Sequence, residues 1–103
     1  MKLTFKEACG ALADLYEADP SLWCKDTFAM TKAGEWVDIL NPSAESYCVI
    51  GGVCAALEIN AAEHVRYLLS PYATSHDAAD ESNEGGVEAA IAILRRAECD
   101  MPC

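Results

Sequence analysis

Basic side chains are scarce in this sequence. Seven Lys and Arg stand against 17 Asp and Glu, giving the 103-residue chain a net charge of -10. A nonspecific nucleic-acid binder neutralises phosphates with a basic excess, so that class is excluded. Long apolar runs are also lacking. The longest, Tyr47 to Leu57, has eleven residues with Gly51 and Gly52 inside it. A bilayer core needs about 20. The opening Met1-Lys2-Leu3-Thr4-Phe5-Lys6-Glu7 shows no apolar stretch of the signal-peptide kind. The expectation is a soluble, unexported protein of the cytoplasm. There is no internal repeat and no linker, and the length fits one domain spanning 1–103. Large aliphatic side chains are few as well. The hydrophobic fraction is 52%, but 18 of those residues are Ala, and Leu, Ile, Val and Phe number 21. That lies close to the level of roughly 20% below which a highly charged chain is suspected of disorder.

What is present falls into helical and strand-like patterns. Thr4-Phe5-Lys6-Glu7 fits a capping box, with Phe5, Ala8, Cys9, Leu12, Leu15 and Tyr16 at helical spacing behind it. Pro20 ends that helix. Asp14, Glu17 and Asp19 gather at its C-terminus, where acids oppose the macrodipole, so another role is expected for them. Ser21 to Thr31 and Glu35 to Leu40 flank Lys32-Ala33-Gly34 and read as a β-hairpin. Asn41-Pro42 reads as the start of a helix running to about Glu58, apolar nearly all round and therefore central. Gly51-Gly52 inside it predicts close approach of another helix or of the hairpin. Asn60-Ala61-Ala62-Glu63 resembles a second capping box, opening a short helix that Pro71 ends. Residues 70–83 read as a polar irregular loop. A last helix carries Val87, Ala90, Ile91, Leu94 and Ala97 as its apolar stripe. The expected architecture is α+β: a small, mostly helical domain of four helices with one β-hairpin packed on a central buried helix.

Trp23-Cys24 on the first strand, Cys48-Val49-Ile50-Gly51 in the central helix and the terminal helix from Val87 to Ala97 form a pattern. Over Leu12 to Ala97 it resembles a set of small bacterial and phage proteins of unknown function. Those proteins pair a Trp-Cys strand with a helix carrying Cys-x-x-Gly. The resemblance implies a fold and a host range, not a mechanism.

Cys9, Cys24, Cys48, Cys54, Cys99 and Cys103 would allow three disulfides in 15 pairings in a secreted chain. In a reducing compartment they stay free, and four of them lie in apolar patterns as small hydrophobes. Zinc needs Cys and His clustered at ligand spacing. Cys48 and Cys54 lie about 240° apart around a helix, so no metal site is expected. Asp80-x-Ser82-x-Glu84-Gly85 imitates half a calcium loop, but its twelfth position is Ile91 rather than the bidentate Glu. A cysteine enzyme using Cys24, His64 and His76-Asp77 lacks a local cause for a reactive thiolate. Nothing calls for a cofactor or a catalytic group.

The negative charge is the most informative feature. It concentrates in Asp77, Asp80, Glu81 and Glu84, with Asp14, Glu17 and Asp19 as a second group and Trp36 as a candidate exposed anchor. A compact acidic protein repels nucleic acid and is steered toward basic surfaces. The expectation is a non-enzymatic, phage-type accessory protein acting in the host cytoplasm. It would inhibit a nucleic-acid-binding host protein (a defence nuclease, a CRISPR effector or a polymerase) as a nucleic-acid mimic. The alternatives are a small cysteine-dependent enzyme or ligand-binding domain, and a housekeeping interaction module, the latter as a homodimer through Trp36 and the hairpin.

Overall fold

A computed structural model describes residues 3–25, 27–73 and 78–99, without the side chains of Ala78, Ala79, Asp80 and Asn83. The order is α1 (Phe5–Ala18), a 3-10 turn (Pro20–Leu22), β1 (Ala29–Met30), β2 (Ser46–Tyr47), α2 (Val49–Leu57), α3 (Ala62–Leu69), a second 3-10 turn (Ser70–Tyr72) and α4 (Ala78–Cys99). Among the described residues the protein is α+β, mostly helical, with four helices and a two-stranded antiparallel pair.

α1 starts where its capping box requires. The Thr4 N–H donates to Glu7 Oε1 at 2.8 Å and the Glu7 N–H to Thr4 Oγ1 at 3.2 Å. Ala8, Cys9, Leu12, Ala13 and Tyr16 are buried along one stripe. Leu15, expected on that stripe, is instead 52% exposed. The Tyr16 hydroxyl donates to the Tyr47 carbonyl at 2.7 Å, tying α1 to β2.

The hairpin is built differently from its sequence reading. The Thr31–Glu35 turn forms: the Thr31 N–H donates to the Glu35 carbonyl at 2.8 Å, with Gly34 at φ +88°. The chain after it leaves β1 following a single bridge between Met30 and Trp36. β1's ladder partner is Ser46–Tyr47, in the register Ala29↔Tyr47 and Met30↔Ser46. The physical reason lies in the return strand, where Ile39 is buried while Trp36 and Leu40 face solvent. Asn41-Pro42 is a turn, not a helix start. The Ser43 N–H donates to Asn41 Oδ1 at 2.8 Å, and the reversal brings Ser46–Tyr47 onto the other side of β1. An Asn side chain accepting from the N–H two residues on serves an Asx turn as readily as a helix cap.

α2 therefore begins at Val49, capped by the thiol of Cys48, which accepts from the Gly51 N–H at 3.3 Å. Its residues Val49 to Cys54 are all buried. Both glycines are required by contact. A Cβ on Gly51 would collide with the Phe28 carbonyl, and one on Gly52 would lie 2.5 Å from Leu12 Cδ2. The helix thus touches the strand segment on one side and α1 on the other. α3 forms as expected, but its N-cap is Ala61, with no side-chain cap.

The largest departure is the polar segment before the last helix. Residues 78–85 are helical, not loop, and α4 breaks at Gly86, whose φ of 79° and ψ of -164° only glycine adopts without strain. Arg96 Nη2 lies 3.3 Å from Glu81 Oε2. Fifteen residues of straight helix would separate them by roughly 22 Å. The chain therefore turns back at Gly86, and α4 is two short arms. Ser82 on the first arm is fully buried, and Ala90, Ile93, Leu94 and Ala97 on the second join the core. Among the described residues, no helix is long and apolar enough to cross a membrane.

Cys9, Cys24, Cys48 and Cys54 are free, buried thiols, and Cys99 is free and exposed; Cys103 lies outside the described residues. Burial, then the charge of Glu98, pushes the Cys9 thiol up to about 12. Burial pushes Cys48 up to about 11 against the backbone N–H groups of Gly51 and Ile50.

Two outcomes follow. Gly51→Ala should cost about 1–3 kcal/mol by overpacking against backbone that cannot yield, and Gly86→Ala a comparable amount, about 1–3 kcal/mol, by strain; urea midpoints at constant m-value measure both. The thiols set a pH dependence. Unfolded thiols ionise near 9.0 while Cys9 and Cys48 keep their protons to about 12 and about 11. Their contribution is complete below pH 9.0 and is lost as pH rises through the folded values. A Cys9→Ala, Cys48→Ala double variant, compared with wild type across that window, should show a shallower fall.

Candidate functional site

The sequence-predicted acids are distributed over α1 and α4, which run antiparallel and close together. They come close at Gly10, where the end of the Glu98 side chain occupies the space a Cβ would take. One turn on, Arg95 of α4 reaches α1. Its Nη2 lies 2.6 Å from Asp14 Oδ1 and 2.6 Å from Glu17 Oε1, and its Nη1 lies 2.8 Å from Glu98 Oε2. Glu17, Asp14 and Glu98, in that order, hold the guanidinium firmly protonated. Three carboxylates share one cation, so the junction keeps two uncompensated negative charges beside solvent. This accounts for acids at the wrong end of α1: they join two helices.

The other candidates fall in different places. Asp19 caps the first 3-10 turn, accepting from the Ser21 N–H at 3.1 Å and from its hydroxyl at 2.6 Å. Asp77 lies outside the described residues, as does His76. Asp80, Glu81 and Glu84 belong to the first arm of α4. Glu81 is mostly covered and paired with Arg96, whose Nε also donates to the Tyr72 carbonyl at 2.6 Å. Glu84 is exposed, as is Glu88 past the break. Residues 80–91, already unsuited to a calcium loop by Ile91 at its twelfth position, are two helical arms joined at Gly86. Trp36 stands 71% exposed on the strand segment, not in the α1–α4 layer.

The residues that sequence reasoning missed are Arg95 and Glu98. Both lie off the apolar stripe of the last helix, where no local pattern singles them out. Only the pairing of α1 with α4 gives them a role. Together α1 and α4 carry eight acids against three basic residues, half of the protein's net charge.

The cysteine reading meets a second feature. An open cleft of about 910 Å³ lies beside the strands, lined by Trp23, Cys24, Lys25, Met30, Lys32 and Ser46 among others. Cys24 is 6% exposed at its wall. Burial raises its thiol, opposed by a hydrogen bond with the Ser46 side chain. No histidine lines the cleft among the described residues. His64, the other residue considered with Cys24, is exposed on α3. Among the described residues, no group of three His, Cys, Asp or Glu is placed to hold a metal.

Comparison of the chain with family models, with curated proteins and with solved structures finds no match.

Arg95→Ala should lower stability by roughly 1 kcal/mol, the scale of an exposed ion-pair network. It leaves Asp14, Glu17 and Glu98 facing one another, so added salt should stabilise the variant more than the wild type. Urea titrations at low and high ionic strength measure the difference. Equal salt responses would show that the three carboxylates do not repel.

Proposed function

We propose that this protein is a non-enzymatic acidic interaction protein that binds the basic, nucleic-acid-binding surface of another protein. The carrying observation is the α1–α4 layer, where acids outnumber bases eight to three and three carboxylates converge on Arg95. Like charges gathered at a helix junction destabilise the folded chain. Held on packed helices rather than on a loop, they form a fixed array of negative charge. A surface made to receive phosphates is complementary to such an array, and occupying it would exclude nucleic acid. In the phage-type reading the partner is a host defence protein and the outcome is inhibition.

Trp36 supports a companion contact. A large aromatic left 71% exposed on the strand segment supplies the apolar anchor that a charged face lacks. The cysteine-enzyme reading has less support, since burial keeps the Cys24 thiol protonated and the histidine offered for it lies exposed on α3.

The test is capture of partners from bacterial lysate on the immobilised chain. Basic nucleic-acid-binding proteins should be retained at low salt and released as salt rises to about 0.5 M. A Glu84→Lys, Glu88→Lys variant that folds normally should retain them more than tenfold less. Added duplex DNA should compete. Capture that ignores both salt and charge reversal would rule out the reading.

A further inference from the structure

The strand segment brings two cysteines together that lie far apart in sequence. Beyond β2, on the side away from β1, the chain at Trp23 pairs with Tyr47 in a parallel bridge. The Cys24 N–H donates to the Tyr47 carbonyl at 3.1 Å, and the Cys48 N–H donates to the Phe28 carbonyl at 3.3 Å. Cys24 and Cys48 each follow a residue of that bridge, so they sit opposite each other in register. Successive side chains along a strand point to alternate faces. Cys48 therefore shares a face with Ser46, two residues before it, and Cys24, one residue past the same bridge, falls on that face too, its thiol donating to the Thr27 carbonyl at 3.6 Å. Burial aside, the charges of Cys24 and then Cys54 push the Cys48 thiol up, and those of Cys48 and Cys24 push Tyr16 up. Parallel neighbours in register lie about 5 Å apart at Cα, inside the range a disulfide spans.

The two are equally little exposed, at 6% each, but differ in surroundings. Cys24 lies on the wall of the open cleft. Cys48 is not among the cleft-lining residues and holds the N-terminus of α2 through its sulfur. From this arrangement we propose that Cys24 and Cys48 are a dithiol that hydrogen peroxide closes slowly to an intramolecular disulfide.

The chemistry balances with hydrogen peroxide as the oxidant. The Cys24 sulfur attacks one peroxide oxygen and the O–O bond breaks. The departing hydroxide leaves as water with the thiol proton, and Cys24 becomes a sulfenic acid. The Cys48 sulfur then attacks the Cys24 sulfur, the S–S bond forms and the S–O bond breaks. The hydroxyl leaves as a second water with the Cys48 proton. Two thiols have lost two electrons, and one peroxide has become two waters. Burial keeps both thiols protonated, so closure is slow beside oxidation of the exposed Cys99. The bond would join the segment after the first 3-10 turn to the start of α2, fixing one wall of the cleft.

The experiment uses the full chain with Cys99→Ser and Cys103→Ser, treated with hydrogen peroxide under native conditions. Remaining thiols are then alkylated, and the peptides are mapped by mass spectrometry. The expected result is loss of two hydrogens, a Cys24–Cys48 linked peptide, alkylated Cys9 and Cys54, and a higher thermal midpoint that reductant reverses. Cys24→Ser or Cys48→Ser, shown folded by circular dichroism, should form no disulfide. Should either variant unfold, the linked peptide from the otherwise unchanged chain decides. Alkylation of both Cys24 and Cys48 after oxidation, or a bond from either to Cys9 or Cys54, overturns the proposal.

Discussion

The close approach of α2 to its two neighbours is the constraint on which the rest of this structure depends. Gly51 lies against the Phe28 carbonyl and Gly52 against the Leu12 side chain. A methyl group on Gly51 would push away the backbone of the strand segment, and one on Gly52 would displace the buried Leu12 side chain of α1. Because both gaps are closed, a nine-residue helix supports a core with few large side chains. Val49, Ile50, Val53 and Cys54 are buried between α1 and α4, and Tyr16 reaches past them to the Tyr47 carbonyl. A composition rich in Ala suits such packing, since small residues let backbones approach.

That tight centre determines where charge can go. α1 and α4 cross close enough at Gly10 for Arg95 to reach two carboxylates of α1 and one of its own helix. The acids at the end of α1, unfavourable for an isolated helix, become part of the join. They remain in excess over the cation they share, so the join also faces outward as a negative surface. Stability and charge display are here properties of the same side chains. The thiols divide in a similar way: Cys48 caps α2, while Cys24 lies on the wall of the cleft.

Local signals were legible where a motif and its structural outcome correspond one to one. The Thr4–Glu7 box, the stop at Pro20 and the packing role of Gly51-Gly52 are of this kind. Signals that serve two structures misled. Asn41-Pro42 suits a helix start and an Asx turn alike, and pairing of Ser46–Tyr47 with β1 selected the turn. Alternation in Glu35 to Leu40 resembles a strand, but too few of its side chains find a buried face. The acidic stretch reads as loop because it is polar. It is helical because Gly86 lets it fold back, where Ser82 is buried and Glu81 meets Arg96.

The sequence by itself determined the class of the protein: acidic, small, mostly helical, with a glycine-marked central helix and thiols serving as hydrophobes. These follow from composition and from periodicities that span one or two turns. Tertiary structure alone decided which strand β1 pairs with, that α4 reverses at Gly86, and that Arg95 gathers acids from 78 and 81 residues away. The reason is range. Caps and stripes are settled between residues a few positions apart, whereas a shared cation or a strand partner depends on which faces the folded core has already brought together.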